Sequence, residues 1–243
     1  MSEPSIVRPF RERRSSTRSR GSHGRYDDRV AESFHWREAR SRLEDLLAEG
    51  PLVADEKGRA FVREGGLEFR PPLVLPAPGT SSPEEWLAGL PAELGTEVVF
   101  LIQAGASALG LWRADEVVVH KAEKKYVVRG TGKAQPTYLK TKGKSRYGSR
   151  LRLRNARSLL EEVCERLGDW FRDHGPVDRM YYSCPVRIWG DLFRTRPELP
   201  FDRKDPRLVR IPLDVDVPNF AELERVRERL VRGRIVRPSP GSW

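Results

Sequence analysis

Residues 121 to 157 hold 13 lysines and arginines against a single acid, Glu123. A segment carrying +12 over 37 residues cannot be buried as a core layer, because its charges lack partners of opposite sign. It splits the chain into two apolar-bearing stretches joined by a solvated strip. The whole chain carries +10, so the rest sums to about −2 and the basicity is local. Solvating faces normally interleave both signs, whereas a single-sign strip is the footprint of a polyanion partner.

The flanking stretches set the fold class. At 243 residues, with six Trp, six Tyr and nine Phe, the chain can build a substantial core. No apolar run approaches the roughly 18–20 residues of a spanning helix, and the N-terminus lacks the apolar stretch of a secretory signal. The two cysteines, Cys164 and Cys184, form no CxxC, which argues against a disulfide framework or zinc ribbon. A reduced, cytoplasmic protein is expected. Residues 1–30, rich in Arg, Ser and Gly, read as a disordered basic arm.

From Glu32 to Leu47 the residues Phe34, Trp36, Leu43, Leu46 and Leu47 fall at roughly helical spacing, and Gly50 ends that helix. "RAFVRE" and "LEFRPPLVL" read as short strands, and Ser82, Pro83 and Glu85 spell a helix N-terminus. "TEVVFLIQ" (96–103), "SALGLWRAD" (107–115) and "EVVVHKAE" (116–123) read as successive strands, with "KKYVVRG" (124–130) as another leading into a loop from about 130 to 150. Asn155 is the expected cap of a long helix whose stripe runs from Leu159 to Phe171. "DRMYYSCP" and "RLVRIPLDV" read as strands, "VRIWGDLF" as a short helix, and Asn219 as the cap of a last helix with Glu222 in the capping-box position. Strand–helix alternation in the second half predicts an α/β or α+β layering around a mixed sheet. The expected division is a helix with short strands over 31–95, packed on a main domain over 96–235.

The usual catalytic constellations are missing. His23, His35, His120 and His174 have no metal-ligand spacing, and Glu161, Glu162, Asp169 and Asp173 read as the solvated face of a helix. "GTGK" lacks the spacing of a nucleotide-binding P-loop, and Cys164 falls on the apolar stripe. What remains is the loop. Lys124, Lys125, Arg129, Lys133, Lys140, Lys142, Lys144 and Arg146 are placed to neutralise successive phosphates. Tyr138 and Tyr147 interleave with them as stacking platforms for unpaired bases or as anchors of the loop. Arg150, Arg152, Arg154 and Arg157 form a second cluster; alternate spacing puts the first three on one face of an extended segment.

Several spaced motifs then occur in order: His120–Lys121, Lys125–Tyr126, Val128–Arg129, Gly132 to Gln135, Gly148 with Leu151–Arg152 and Asn155, and Asp205 to Leu213. In these the sequence resembles the Vms-like release factors, whose eukaryotic members clear stalled peptidyl-tRNA from large ribosomal subunits in ribosome quality control. The resemblance covers about residues 96 to 231. It implies an RNase H-like α/β fold similar to the middle domain of eukaryotic and archaeal peptide release factors, with a long basic GxxQ loop. The loop reads "GKAQ" where release factors have a doubled glycine, and the 243 residues hold no counterpart of the eukaryotic zinc finger or ankyrin repeats. The sequence is thus similar to a compact bacterial branch described as peptidyl-tRNA hydrolases.

The resemblance implies that Gln135 is catalytic, with Gly132 shaping its turn. In release factors the glutamine meets the peptidyl-tRNA ester, where a backbone N–H can stabilise the oxyanion and the side chain can position water. In the eukaryotic relatives the reaction is cleavage near the CCA end of the tRNA; the sequence does not choose between the two. Expected partners are the large ribosomal subunit and peptidyl-tRNA, without a cofactor, metal, membrane or DNA, and with a monomer off the ribosome. A non-catalytic RNA-binding accessory and a metal-dependent RNase H-like nuclease are the competing readings.

Overall fold

The computed structural model describes residues 29–125, 144–195 and 198–238, with side chains omitted at 29–30 and 144–149. The chain begins with strand β1 (Arg29–His35), a 3-10 turn (Trp36–Glu38) and helix α1 (Ala39–Glu49). Strands β2 (Val53–Ala54), β3 (Phe61–Arg63) and β4 (Leu67–Arg70) and helix α2 (Pro83–Ala88) follow. Strands β5 (Thr96–Gln103), β6 (Ala106–Arg113) and β7 (Glu116–Lys124) then form a meander. Helix α3 (Lys144–Asp173), strand β8 (Arg179–Ser183), helix α4 (Val186–Leu192), strand β9 (Leu208–Arg210), helix α5 (Phe220–Leu230) and strand β10 (Arg232–Pro238) complete it.

Two five-stranded sheets result. The central one runs β7-β6-β5-β8-β9; β6 alone opposes the other four, and β5, β8 and β9 pair in parallel. This is a mixed sheet flanked by helices, as expected above, although the sequence reading gave no strand order. The run "TEVVFLIQ" is buried almost throughout because β5 has protein on both faces. Val98, Phe100 and Ile102 face one core with Leu160, Val163, Cys164, Leu167 and Trp170 of α3. Val99 and Leu101 face the other core, with Leu223, Val226 and Leu230 of α5.

The second sheet, β1-β10-β4-β3-β2, is antiparallel throughout and packs its Phe34, Phe61, Phe69 and Ile235 into that other core. β10, from the end of the chain, lies between β1 and β4, so the 31–95 segment and the C-terminus share one sheet. Phe34 occupies the space over Gly233, where any Cβ would collide with its ring. The helix expected from Glu32 begins only at Ala39, because Phe34 and its neighbours are held by β10 as a strand. α2 starts as read: the Ser82 hydroxyl accepts from Glu85 N, and the Glu85 carboxylate accepts from Ser82 N at 2.9 Å. In α5 the Asn219 side chain accepts from Glu222 N, but the Glu222 carboxylate turns to Asp216 N at 2.7 Å instead of closing a capping box.

Candidate functional site

β5, β7 and β8 point the same way, so Gln103, Lys124 and Ser183 lie at one end of the central sheet, beyond the strand C-termini, the end where open α/β sheets hold their ligands. The basic strip leaves and rejoins the fold there. On the leaving side Lys124 ends β7 exposed, opposite Ala106, and Lys121 pairs with Glu123 at 3.0 Å. Next to it, the backbone N–H of Lys125 donates to Gly105 O at 2.8 Å. The Lys125 ammonium donates to Ser158 Oγ at 2.8 Å and forms an ion pair with Glu162, both on α3. Lys125 thus clasps the strand end to the helix, where the sequence offered it as a phosphate ligand. Glu162 is correspondingly a structural partner rather than a purely solvated helix charge.

On the returning side, α3 begins at Lys144, eleven residues before the expected cap, so Asn155 is inside the helix. The reason is visible in the burial: from Arg150 to Ser158 no described side chain is buried, and the apolar stripe begins only at Leu159. The 15 residues of α3 that precede this stripe span about 22 Å, at a rise of about 1.5 Å per residue, and form an N-terminal overhang relative to it. Helical rather than extended geometry regroups the second cluster. Arg150, Arg154 and Arg157 share one face through their four- and three-residue spacing, and Arg152 lies roughly opposite Arg150. Arg150 and Arg154 are exposed and Arg152 is half-buried; Arg157 pairs with Glu161 at 2.8 Å. Two leucines, Leu151 of the motif and Leu153, which the sequence reading passed over, stand exposed among them, Leu153 by 68%. Lys144, Arg146 and Tyr147 belong to the same overhang by backbone placement. Arg129, Gly132, Lys133, Gln135, Tyr138, Lys140 and Lys142 lie outside the described residues, between the clasp and the start of α3.

The other motif residues hold the edge in shape. His120 stacks on Phe220 with ring centroids 3.8 Å apart, joining β7 to α5. Gln103 Nε2 donates to the carbonyls of Val215 at 2.8 Å and Asp216 at 2.9 Å, fixing the approach to α5. The Asp205 carboxylate accepts from the Arg207 guanidinium at 2.9 and 2.7 Å, and that guanidinium holds the Asp205 carboxyl below its ordinary pKa. Arg207 Nη1 also donates to Val177 O at 2.9 Å, which sets β9 beside β8. The Asp205–Leu213 motif is thus built into the scaffold.

At the opposite end of the central sheet, by the start of β5 and the β6–β7 turn, lies a buried ionic network. Arg227 of α5 places Nη1 2.7 Å from Glu97 Oε2, a close contact without hydrogen-bond alignment, and Nη2 3.3 Å from Asp115 Oδ1. Asp115 sits in the two-residue turn of the β6–β7 hairpin, where both Ala114 and Asp115 take positive φ. Its Oδ2 accepts from Trp36 Nε1 at 2.6 Å and Arg37 Nη2 at 3.1 Å, so the N-terminal segment holds the turn. Burial raises Glu97 above the ordinary carboxylate range against the opposing charge of Arg227, and burial likewise pushes up Tyr181, whose hydroxyl donates to Glu97 Oε1 at 3.1 Å. Burial raises the Cys164 thiol to about 11 and the Cys184 thiol to about 12. Both are poorly nucleophilic core residues. Among the described residues no three His, Cys, Asp or Glu side chains form a set able to hold a metal ion.

With that geometry in view, comparison with known proteins is informative. Over 147 residues the chain is 33% identical to the tRNA endonuclease ANKZF1 of Mus musculus and 32% identical to that of Homo sapiens. Each alignment takes in 59% of this chain and 20% of the relative, so the chain spans about a fifth of the length of these curated relatives. A solved structure, the Vms1 mitochondrial localization core, aligns with a TM-score of 0.48 at 14% identity over 80% of both chains. The model of the Bacteroidetes VLRF1 release factor family matches residues 97–237, from the second residue of β5 to the penultimate residue of β10. The chain belongs to the Bacteroidetes VLRF1 release factor family.

Proposed function

We propose that the protein frees nascent chains from stalled peptidyl-tRNA on the large ribosomal subunit, with Gln135 as its catalytic residue. The observation that carries this reading is the family match across the segment that frames Gly132–Gln135 between the Lys125 clasp and a solvated helix bearing Arg150 and Arg154. A helix with no buried side chain from Arg150 to Ser158 is suited to reaching an RNA-built site. Its uncompensated arginines, with Lys124, Arg129, Lys133, Lys140, Lys142, Lys144, Arg146 and Arg152, provide phosphate-binding charge; Tyr138 and Tyr147 provide stacking surface. Gln135 needs no perturbed pKa in this scheme. Its backbone N–H and side chain orient the reacting water, or a ribose hydroxyl, while RNA supplies the remainder of the site. Lys125 acts through the clasp, holding the root of the loop.

The mammalian relatives are named tRNA endonucleases, which favours cleavage of the tRNA over ester hydrolysis as a second form of the same release, with the acceptor end as the site we propose. Incubation with purified stalled ribosome–nascent-chain complexes, followed by sequencing of the tRNA 3′ ends, separates the two. An intact CCA end means ester hydrolysis, and a truncated end means nuclease action. Gln135→Ala is expected to lower release at least about 100-fold, the range of a lost transition-state contact, with ribosome binding kept. Release at the wild-type rate by that variant sinks the catalytic assignment.

A further inference from the structure

On the far side of the molecule a groove of about 450 Å³ runs between the loop after β4 and the edge strand β9. That volume is within the roughly 300–1,000 Å³ of specific ligand sites. Five prolines line it, and Leu73 and Val209 add apolar surface. Three guanidinium groups stand around it, Arg59, Arg179 and Arg210, and no acidic residue lines it. Arg179 is fixed: its Nη1 donates to the carbonyls of Val74 at 3.0 Å and Leu75 at 3.3 Å, which shapes the loop wall. Arg59 and Arg210 are exposed, and neither side chain has a carboxylate partner among the described residues. Several other surface arginines are neutralised by acids: Arg63 and Arg237 meet Glu49, Arg70 meets Glu68, and Arg232 meets Glu228.

We infer that this groove docks an extended protein segment in which apolar and acidic residues alternate. The argument is complementarity. Apolar walls need apolar side chains, uncompensated guanidinium groups need carboxylates, and an extended chain presents the two on opposite sides with a period of two. Proline walls have few backbone donors of their own, so the arginines carry the polar recognition. The groove flanks β9, while the basic strip springs from β7, four strands away at the opposite sheet edge, about 19 Å at about 4.8 Å per strand. A protein partner would therefore bind while the arm is engaged with RNA.

The test uses the full chain and a fluorescein-labelled, end-capped octapeptide of alternating leucine and aspartate, read by anisotropy. Binding is expected, weakened at least tenfold in Arg59→Glu/Arg210→Glu and unchanged in Arg187→Ala, an exposed arginine outside the groove. Slowed amide hydrogen exchange over Leu208–Ile211 with the peptide present is the second expected readout. No binding, equal binding of an alternating leucine–serine or leucine–lysine octapeptide, or displacement by equimolar single-stranded RNA would each overturn the proposal. Ribosome release is measured in parallel. Because the groove variants leave Gln135 and the arm untouched, they are expected to release at the wild-type rate on purified complexes, so the two proposals fail separately.

Discussion

Glu97 and Arg227 are the residues on which the seat of α5 against the central sheet depends, since each is nine-tenths or more buried and the two carry opposite charges in contact. Removing Arg227 leaves the Glu97 carboxyl without its counter-charge in a medium that solvates it poorly, whereas removing both leaves mainly a packing problem. Arg227→Leu is expected to destabilise the fold by about 3–5 kcal/mol, and Arg227→Leu/Glu97→Leu to recover a large part of that loss; urea denaturation of the two variants checks it. Neither role could be read from the sequence, where Glu97 stands in a strand of valines and Arg227 in a helix of alternating charges. Burial of Glu97 follows from α5 covering β5, and the salt link follows from a contact 130 residues apart in the chain. The reverse happened at Lys125. Local charge density classed it with the phosphate ligands, yet an acid 37 residues downstream claims it.

Elements were legible in proportion to how locally they are specified. β5, β6 and α2 follow their sequence signals closely, because a continuous apolar run and a Ser–Pro–x–Glu start each encode their own structure. β1 was misread because Phe34 and Trp36 mimic helical spacing, and only pairing with β10 decides otherwise. The first half of α3 was invisible to periodicity for a physical reason: from Arg150 to Ser158 no side chain is buried, so that stretch has no apolar stripe to show. α5 has a legible cap, but the Glu222 carboxylate departs from the expected box. It accepts from Asp216 N and from the Arg225 guanidinium, which holds its pKa below the ordinary value against the opposing effect of burial. A lowered folded-state pKa contributes stability that is present above the unfolded value and lost as pH falls through the folded one. Glu222→Gln should therefore cost about 1.5–3 kcal/mol at pH 7, and the two proteins should converge in stability as the pH drops below about 4. Thermal melts across that range give the comparison.

At the scale of the whole molecule the layers are α3 and α4, the central sheet, and then α5 with the second sheet, α1 and α2. This layering sends the basic strip out from one sheet edge and leaves the arginine groove at the other. The composition announced the first of these surfaces and hid the second, because Arg59, Arg179 and Arg210 are scattered over 150 residues and meet only in the fold. The clasp between Lys125 and α3 carries a consequence for how such a chain can change over generations. It closes the root of the excursion, and none of the described side chains from Arg150 to Ser158 is buried. Loop-closure entropy adds only about 0.6 kcal/mol per doubling of length. Replacing residues 128–142 with a Gly/Ser linker of equal length should accordingly move the melting temperature by less than about 3 °C, while abolishing salt-dependent RNA binding by that segment. The strip is in this sense a replaceable tool bit in a fixed chuck: insertions, deletions and wholesale rewriting there are screened by selection on activity alone, whereas the same changes five residues inside the clasp would be screened by folding.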